Sequence, residues 1–246
     1  MSRAKIYYLH EGLPRQAPGS DDSTRATIRR LRKLPEGPRV LDVGCGPGRS
    51  AIVLAQELSA RVTAIDIHQP YLDHLAARAE ALGLSAMIRP VKMSMARMKF
   101  RRASFDLIWA EGSAYFLGIG KSLETWLPLL DERGQVAFTE LCWLTGDRPA
   151  EAIEYWAGAY PEMATPADHV AAATRAGYLD CQYSVLPESD WWVEYLTPLE
   201  ARMELLAAEA AKDRQLALLI EDSRRAIDLY RRHSASFGYV FFIAAR

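Results

Sequence analysis

The chain has 246 residues, half of them hydrophobic and a quarter charged, with a formal net charge of -1. This composition supports one packed α/β domain with an insertion and excludes a disordered chain. No basic excess points to a nucleic-acid partner, no apolar run reaches the ~20 residues of a membrane helix, and the three cysteines (Cys45, Cys142, Cys181) form no metal-ligand spacing.

The opening run Met1-Ser2-Arg3-Ala4-Lys5-Ile6-Tyr7-Tyr8 lacks the long apolar core of a signal peptide, so a cytoplasmic protein with reduced thiols is expected. Residues 11–23 are rich in Gly, Pro, Ser and acid and read as loop. A helix follows, capped by Asp22 or Ser23, with Ile28, Leu31 and Leu34 on one face. Then strands and helices alternate: strand 39–43, helix 50–58, strand 62–65 ending at Asp66, helix 70–83, a third strand within 86–91, strand 105–109, helix 121–130 and strand 135–139. This pitch implies βαβ units and a mainly parallel sheet with helices on both faces. Beyond Leu144 the rhythm changes to helices at 149–160 and 166–176, a strand at 181–186, a long helical stretch 198–233 with a break near Lys212-Asp213, and a final strand at 238–243.

The most informative segment is Val40-Leu41-Asp42-Val43-Gly44-Cys45-Gly46-Pro47-Gly48, a strand running into a glycine turn and then a helix. Glycines there permit a tight turn and close ligand approach at the end of the first strand, where α/β sheets bind ligands. The second strand ends in Asp66, twenty residues after Gly46, placed to accept both hydroxyls of a ribose. A dinucleotide loop needs G-x-G-x-x-G, whereas Arg49 occupies the third glycine position and no G-K-[ST] forms a P-loop. The alternatives are a ligand-free glycine turn and dinucleotide binding by a nicotinamide-dependent oxidoreductase.

VLDVGCGPGRS, VTAIDIH and FDLIWAEGSAY in this order closely resemble the class I S-adenosylmethionine-dependent methyltransferase family, over roughly residues 20–145. WLTGDRPAEAIEYWAGAYPEM is also similar to a bacterial subgroup of small-molecule methyltransferases. The resemblance implies a Rossmann-like, doubly wound α/β fold with a seven-stranded mixed sheet whose last strand is antiparallel. It implies that Asp42, Gly44 and Gly46 contact the methionyl part of S-adenosylmethionine, Asp66 holds the ribose, and Ile67 packs on adenine. Where many relatives place an acid for the adenine amine, this chain has Ser94, followed by Met95 as an apolar adenine neighbour. Glu111 is expected to face the methyl-transfer crevice.

A protic acceptor needs a base, and the candidates are Glu111 and, less strongly, Glu140, each with a purely structural alternative. His10 and His169 lie on elements able to close over the site, although an ordinary surface role is the simpler reading. Among many aromatics outside the motifs, Tyr115 is the leading pocket candidate, and Arg148 is placed to steer an anionic substrate or to sit on the surface. No metal site is expected.

The chain reads as one methyltransferase domain, with residues 145–176 and 188–236 as a helical cover over the active site. The stretch 198–233 is a packed helix, a lid or a homodimer surface. The expected function is methyl transfer to O, N or C of a small molecule, with a non-catalytic S-adenosylmethionine-binding protein as another alternative.

Overall fold

The computed structural model describes residues 3–246; Met1 and Ser2, the first two residues of the signal-peptide reading, lie outside them. The core alternates β1 (Arg39–Val43), β2 (Arg61–Asp66), β3 (Ile88–Lys92), β4 (Phe105–Ala110) and β5 (Leu130–Trp143), then β6 (Leu179–Val185) and β7 (Phe237–Ala245). They form one seven-stranded sheet, ordered β3-β2-β1-β4-β5-β7-β6. β1 pairs in parallel with β2 and β4, while β7 runs antiparallel to both β5 and β6. The winding reverses between β1 and β4, the switch point at which open α/β sheets bind ligands.

The central strands β1, β4 and β7 are buried on both faces because helices cover both, whereas the edge strand β6 is largely exposed. In β4, Leu107 and Trp109 join the core beneath α3 (Arg49–Leu58) and α4 (Gln69–Ala81), whereas Ile108 and Ala110 face the opposite core. That second core is closed by α5 (Ile119–Trp126) and α7 (Pro166–Arg175), so of the expected cover 145–176 only α6 (Ala150–Ala159) lies over the strand ends.

The rest of the cover is α1 (Arg3–Leu9), α8 (Ser189–Trp191), a π-helical turn at Trp192–Leu196, α9 (Thr197–Leu205), α10 (Ala207–Ala210) and α11 (Arg214–His233). Asp213 caps α11, accepting from the amides of Gln215 and Leu216, and this breaks the long stretch where expected. The cover packs on Leu141, Trp143 and Phe237, with Trp191 stacked on Tyr230 at 3.8 Å.

Three local expectations shift. α2 (Asp21–Ile28) starts from Ser20, whose Oγ accepts from the Ser23 amide at 3.0 Å, and not from Asp22 or Ser23. It also stops before Leu31 and Leu34, because the Gln135 side chain takes over the Arg32 backbone, accepting from its amide and donating to its carbonyl. β5 is far longer than 135–139, since its end pairs with β7 as far as Trp143 opposite Phe237 and makes the platform for the cover.

Candidate active site

The C-terminal ends of β1, β2 and β4 open into a cavity of about 480 Å³, the size of a small-molecule site. Its floor is the turn after β1. Gly44 adopts φ +69°, and its amide and that of Cys45 both donate to the Ile65 carbonyl, at 2.8 and 3.0 Å. A Cβ on Gly44 would stand 2.5 Å from the Ser113 Cβ, so glycine there also allows the β4 loop to seat against β1. Gly46 has φ +52°, and a Cβ there would meet only Gln16 Cγ at 3.6 Å. Its bare face is turned to the cavity.

Asp66 lines the same wall. Its Oδ2 accepts from the Gly46 amide at 3.1 Å and its Oδ1 from the His68 amide at 2.8 Å. Two backbone donors thus fix the carboxylate and leave its remaining lone pairs for a ligand. Ile67 (43 % exposed), Ser94 and Met95 complete this end, and Ser94 also caps the short 3-10 turn Met95–Arg97.

Asp42 is placed differently from the expected contact residue. It is 1 % exposed and lies behind the wall, with Oδ2 accepting from Ser50 Oγ at 2.7 Å and Oδ1 unpartnered. Ser50 itself reaches the cavity. Burial pushes the Asp42 carboxyl up to about 7, opposed by the Ser50 hydrogen bond.

Glu111 borders the cavity, but its oxygens are taken. Oε2 accepts from Arg15 at 2.7 Å, and Oε1 accepts from Thr24 at 2.7 Å and from the Trp109 indole at 2.8 Å. Arg15 in turn donates to Asp21 at 2.8 Å and to Glu194 at 2.9 Å, and Arg49 donates to Glu194 at 2.7 Å. This network ties the N-terminal segment, the glycine-loop helix, β4 and the π-turn together.

Sequence reasoning placed His10 on an element able to close over the site but missed the contacts that build this N-terminal roof. Tyr7 stacks on His68 at 3.8 Å, Tyr71 stands edge-on to both, and the Tyr71 hydroxyl donates to Gln16. The available signal was His68 directly after Asp66-Ile67, with Tyr71 one helical turn on.

Tyr115, Tyr195 and His10 line the other end. Tyr115 is held beside Phe116 and Tyr160, and burial pushes its phenol well above the usual range. Glu140 is not part of the wall. It is 1 % exposed, its Oε1 accepts from the Leu141 amide at 3.0 Å, Oε2 has no partner, and burial pushes it up to about 8. His169 does not close over the site; it is buried edge-on to Phe242, on the face covered by α7. Arg148 lies over the Trp143 ring at 5.0 Å, a cation-π contact on the cover platform.

Comparisons with known proteins bear on the domain and the fold. Residues 40–134 match the family described as "Methyltransferase domain". The 27-O-demethylrifamycin SV methyltransferase of Amycolatopsis mediterranei is 30% identical over 113 residues, 44% of this chain and 42% of that protein. Aklanonic acid methyltransferase DauC of a Streptomyces species is 32% identical over 128 residues, 49% of this chain and 57% of that protein. The chain thus spans about half the length of these curated relatives.

Two solved structures share the fold. Phosphoethanolamine N-methyltransferase 2 of Haemonchus contortus, in complex with S-adenosyl-L-methionine, superposes with a TM-score of 0.71 at 18% identity, covering 99% of this chain and 56% of that one. The [4+2]-cyclase SpnF superposes with a TM-score of 0.74 at 19% identity, covering 99% and 92%. Residues 40–134 thus resemble a methyltransferase domain, and the chain as a whole shares the fold of these solved structures.

Proposed function

We propose that the protein binds S-adenosylmethionine in this cavity and transfers its methyl group to O, N or C of a small molecule. The observation that carries this reading is the Asp66 carboxylate, fixed by the Gly46 and His68 amides beside a glycine turn open to the cavity. A carboxylate held this way suits a ribose diol, and the uncovered backbone at Gly44 and Gly46 suits the methionyl chain. Ile67 and Met95 offer apolar surface to the adenine, with Ser94 beside them. Asp42 acts through Ser50, whose hydroxyl it holds behind the loop. Tyr115 belongs to the acceptor end, and we assign Glu111 to holding the roof in place, since three donors already occupy it.

S-adenosylmethionine would supply an electrophilic methyl group at its sulfonium. The protein's part is then to orient the acceptor, exclude water and receive any proton released. The aromatic walls and the roof over the cavity suit this division of work. Support from relatives is specific to small molecules: the rifamycin and aklanonic acid enzymes are named for such acceptors.

A second reading is binding without methyl transfer, because a chain named as a [4+2]-cyclase shares the fold over 99% of this one. Incubation with S-adenosylmethionine labelled in its methyl group and a broad panel of metabolites separates the two. Label in a small organic product supports methyl transfer. Cofactor binding with no labelled product from any acceptor supports the second reading.

A further inference from the structure

His10, the residue after α1, was expected to be an ordinary surface histidine, yet its ring forms part of the cavity wall. Its two nitrogens have different partners. Nδ1 lies 2.9 Å from the Ile6 carbonyl, which can only accept, so Nδ1 carries the proton. In the neutral ring Nε2 then holds a free lone pair, and its protein neighbour is the Tyr195 hydroxyl at 3.4 Å, a long contact that a bound acceptor can replace. The Tyr195 ring lies beside the imidazole, 6.1 Å between centroids at an interplanar angle of 23°. Burial lowers the pKa of His10, which keeps the ring neutral and able to take a proton near pH 7.

We propose that His10 is the proton acceptor of the reaction, so that the acceptor substrate attacks through a hydroxyl or amine carrying a dissociable proton. This rests on the methyl-transfer reading above. In the step, a lone pair of the acceptor O or N forms the bond to the methyl carbon. The carbon–sulfur bond breaks, and its electron pair stays on sulfur as the neutral thioether. The acceptor's proton moves to His10 Nε2, and the resulting imidazolium returns it to water. Charge balances, since the sulfonium cation and neutral imidazole become a thioether and an imidazolium.

Other groups around the cavity are worse placed for this work. Glu111 is fully engaged by Arg15, Thr24 and Trp109, and Asp66 is bonded to two amides. Glu140 lies outside the wall, and burial raises the Tyr115 and Tyr195 phenols above their usual range. The charged groups that line the cavity with His10 are Arg3 and Arg15 of the N-terminal segment, Arg49 of α3, Asp66 of β2 and Glu111 just after β4.

The test uses the full chain and two variants. His10→Asn keeps an amide donor for the Ile6 carbonyl but has nothing at the Nε2 position; His10→Gln places an amide nearer that position without basicity. S-adenosylhomocysteine titration is the control: affinity within about threefold of wild type, with an unchanged melting midpoint, shows intact sites, and no binding by any form defeats the methyl-transfer reading itself. Against labelled S-adenosylmethionine and a panel of phenols, aliphatic alcohols and primary and secondary amines, both variants are expected to lose about 10²–10⁴-fold in turnover. The wild-type rate should rise with pH through a midpoint below 6.5 and then level, a limb the variants lack. Long-range proton–nitrogen NMR of the histidines should show the Nδ1–H tautomer for His10. Turnover by His10→Asn equal to wild type, an Nε2–H tautomer, or binding of S-adenosylhomocysteine with methylation of no panel member would each overturn the assignment.

Discussion

Arg15 and Glu111 stand 2.7 Å apart at the edge of the cavity, with side chains only 7% and 10% exposed, and join the N-terminal segment to the end of β4. Neither is a free reactive group. Arg15 also binds Asp21 and Glu194, and burial of the guanidinium is offset by these three carboxylates. Removing the guanidinium leaves the buried Glu111 without its ion partner, although Arg49 still reaches Asp21 and Glu194. Arg15→Met should therefore lower unfolding stability by about 3–5 kcal/mol, read from urea denaturation. Glu111→Gln should cost less, because Arg15 keeps two partners, and it should leave the pH dependence of turnover unchanged.

The glycines of the turn after β1 separate folding from binding. A methyl group on Gly44 would collide with Ser113 at 2.5 Å, so Gly44→Ala should destabilise the fold by about 1–3 kcal/mol. A methyl group on Gly46 meets nothing closer than 3.6 Å and points where the methionyl chain is proposed to lie. Gly46→Ala should cost only ~1 kcal/mol of stability yet weaken S-adenosylhomocysteine binding at least tenfold. Thermal melts and calorimetric titration of the pair check the contrast.

Glu140 carries a pH dependence of definite sign. Burial raises its folded pKa to about 8 from an ordinary 4.5, so between these values the folded state holds a proton that the unfolded state has lost. Its contribution to stability is full below pH 4.5 and is lost as pH rises toward and past 8. Asp42 acts with the same sign up to about 7. Glu140→Gln, which cannot ionise, should gain on wild type as pH goes from 5 to 9, by roughly 2–5 kcal/mol. Melting midpoints across that range measure it, and parallel curves for the two proteins would count against a buried acid.

The half of the chain around β1 to β5 was legible because its signals are local. Alternating apolar runs gave the order of strands, and the glycine turn with Asp66 gave the cavity floor, since both depend on backbone geometry within a few residues. The contacts that build the roof were not legible. Residues 3–9 form a helix because they pack on α11 and α9, a tertiary reason that periodicity over seven residues cannot carry. Glu111 read as a base because strand ends face crevices, but its partners Arg15 and Thr24 lie 96 and 87 residues away in the chain. His169 and His10 looked alike in sequence; one was buried on the sheet by α7 and the other set in the cavity wall, a distinction only the packing makes.

The most direct measurement is calorimetric titration of S-adenosylhomocysteine into wild type and Asp66→Ala. Loss of a charge-assisted hydrogen bond to the ribose, about 1.5–3 kcal/mol, corresponds to a drop of roughly 10- to 100-fold in affinity. Expected is one-to-one binding by wild type at micromolar concentrations, weakened by that factor in the variant. Absence of binding to wild type up to millimolar ligand, or equal affinity in the two proteins, would contradict the assignment of this cavity to the adenosyl group.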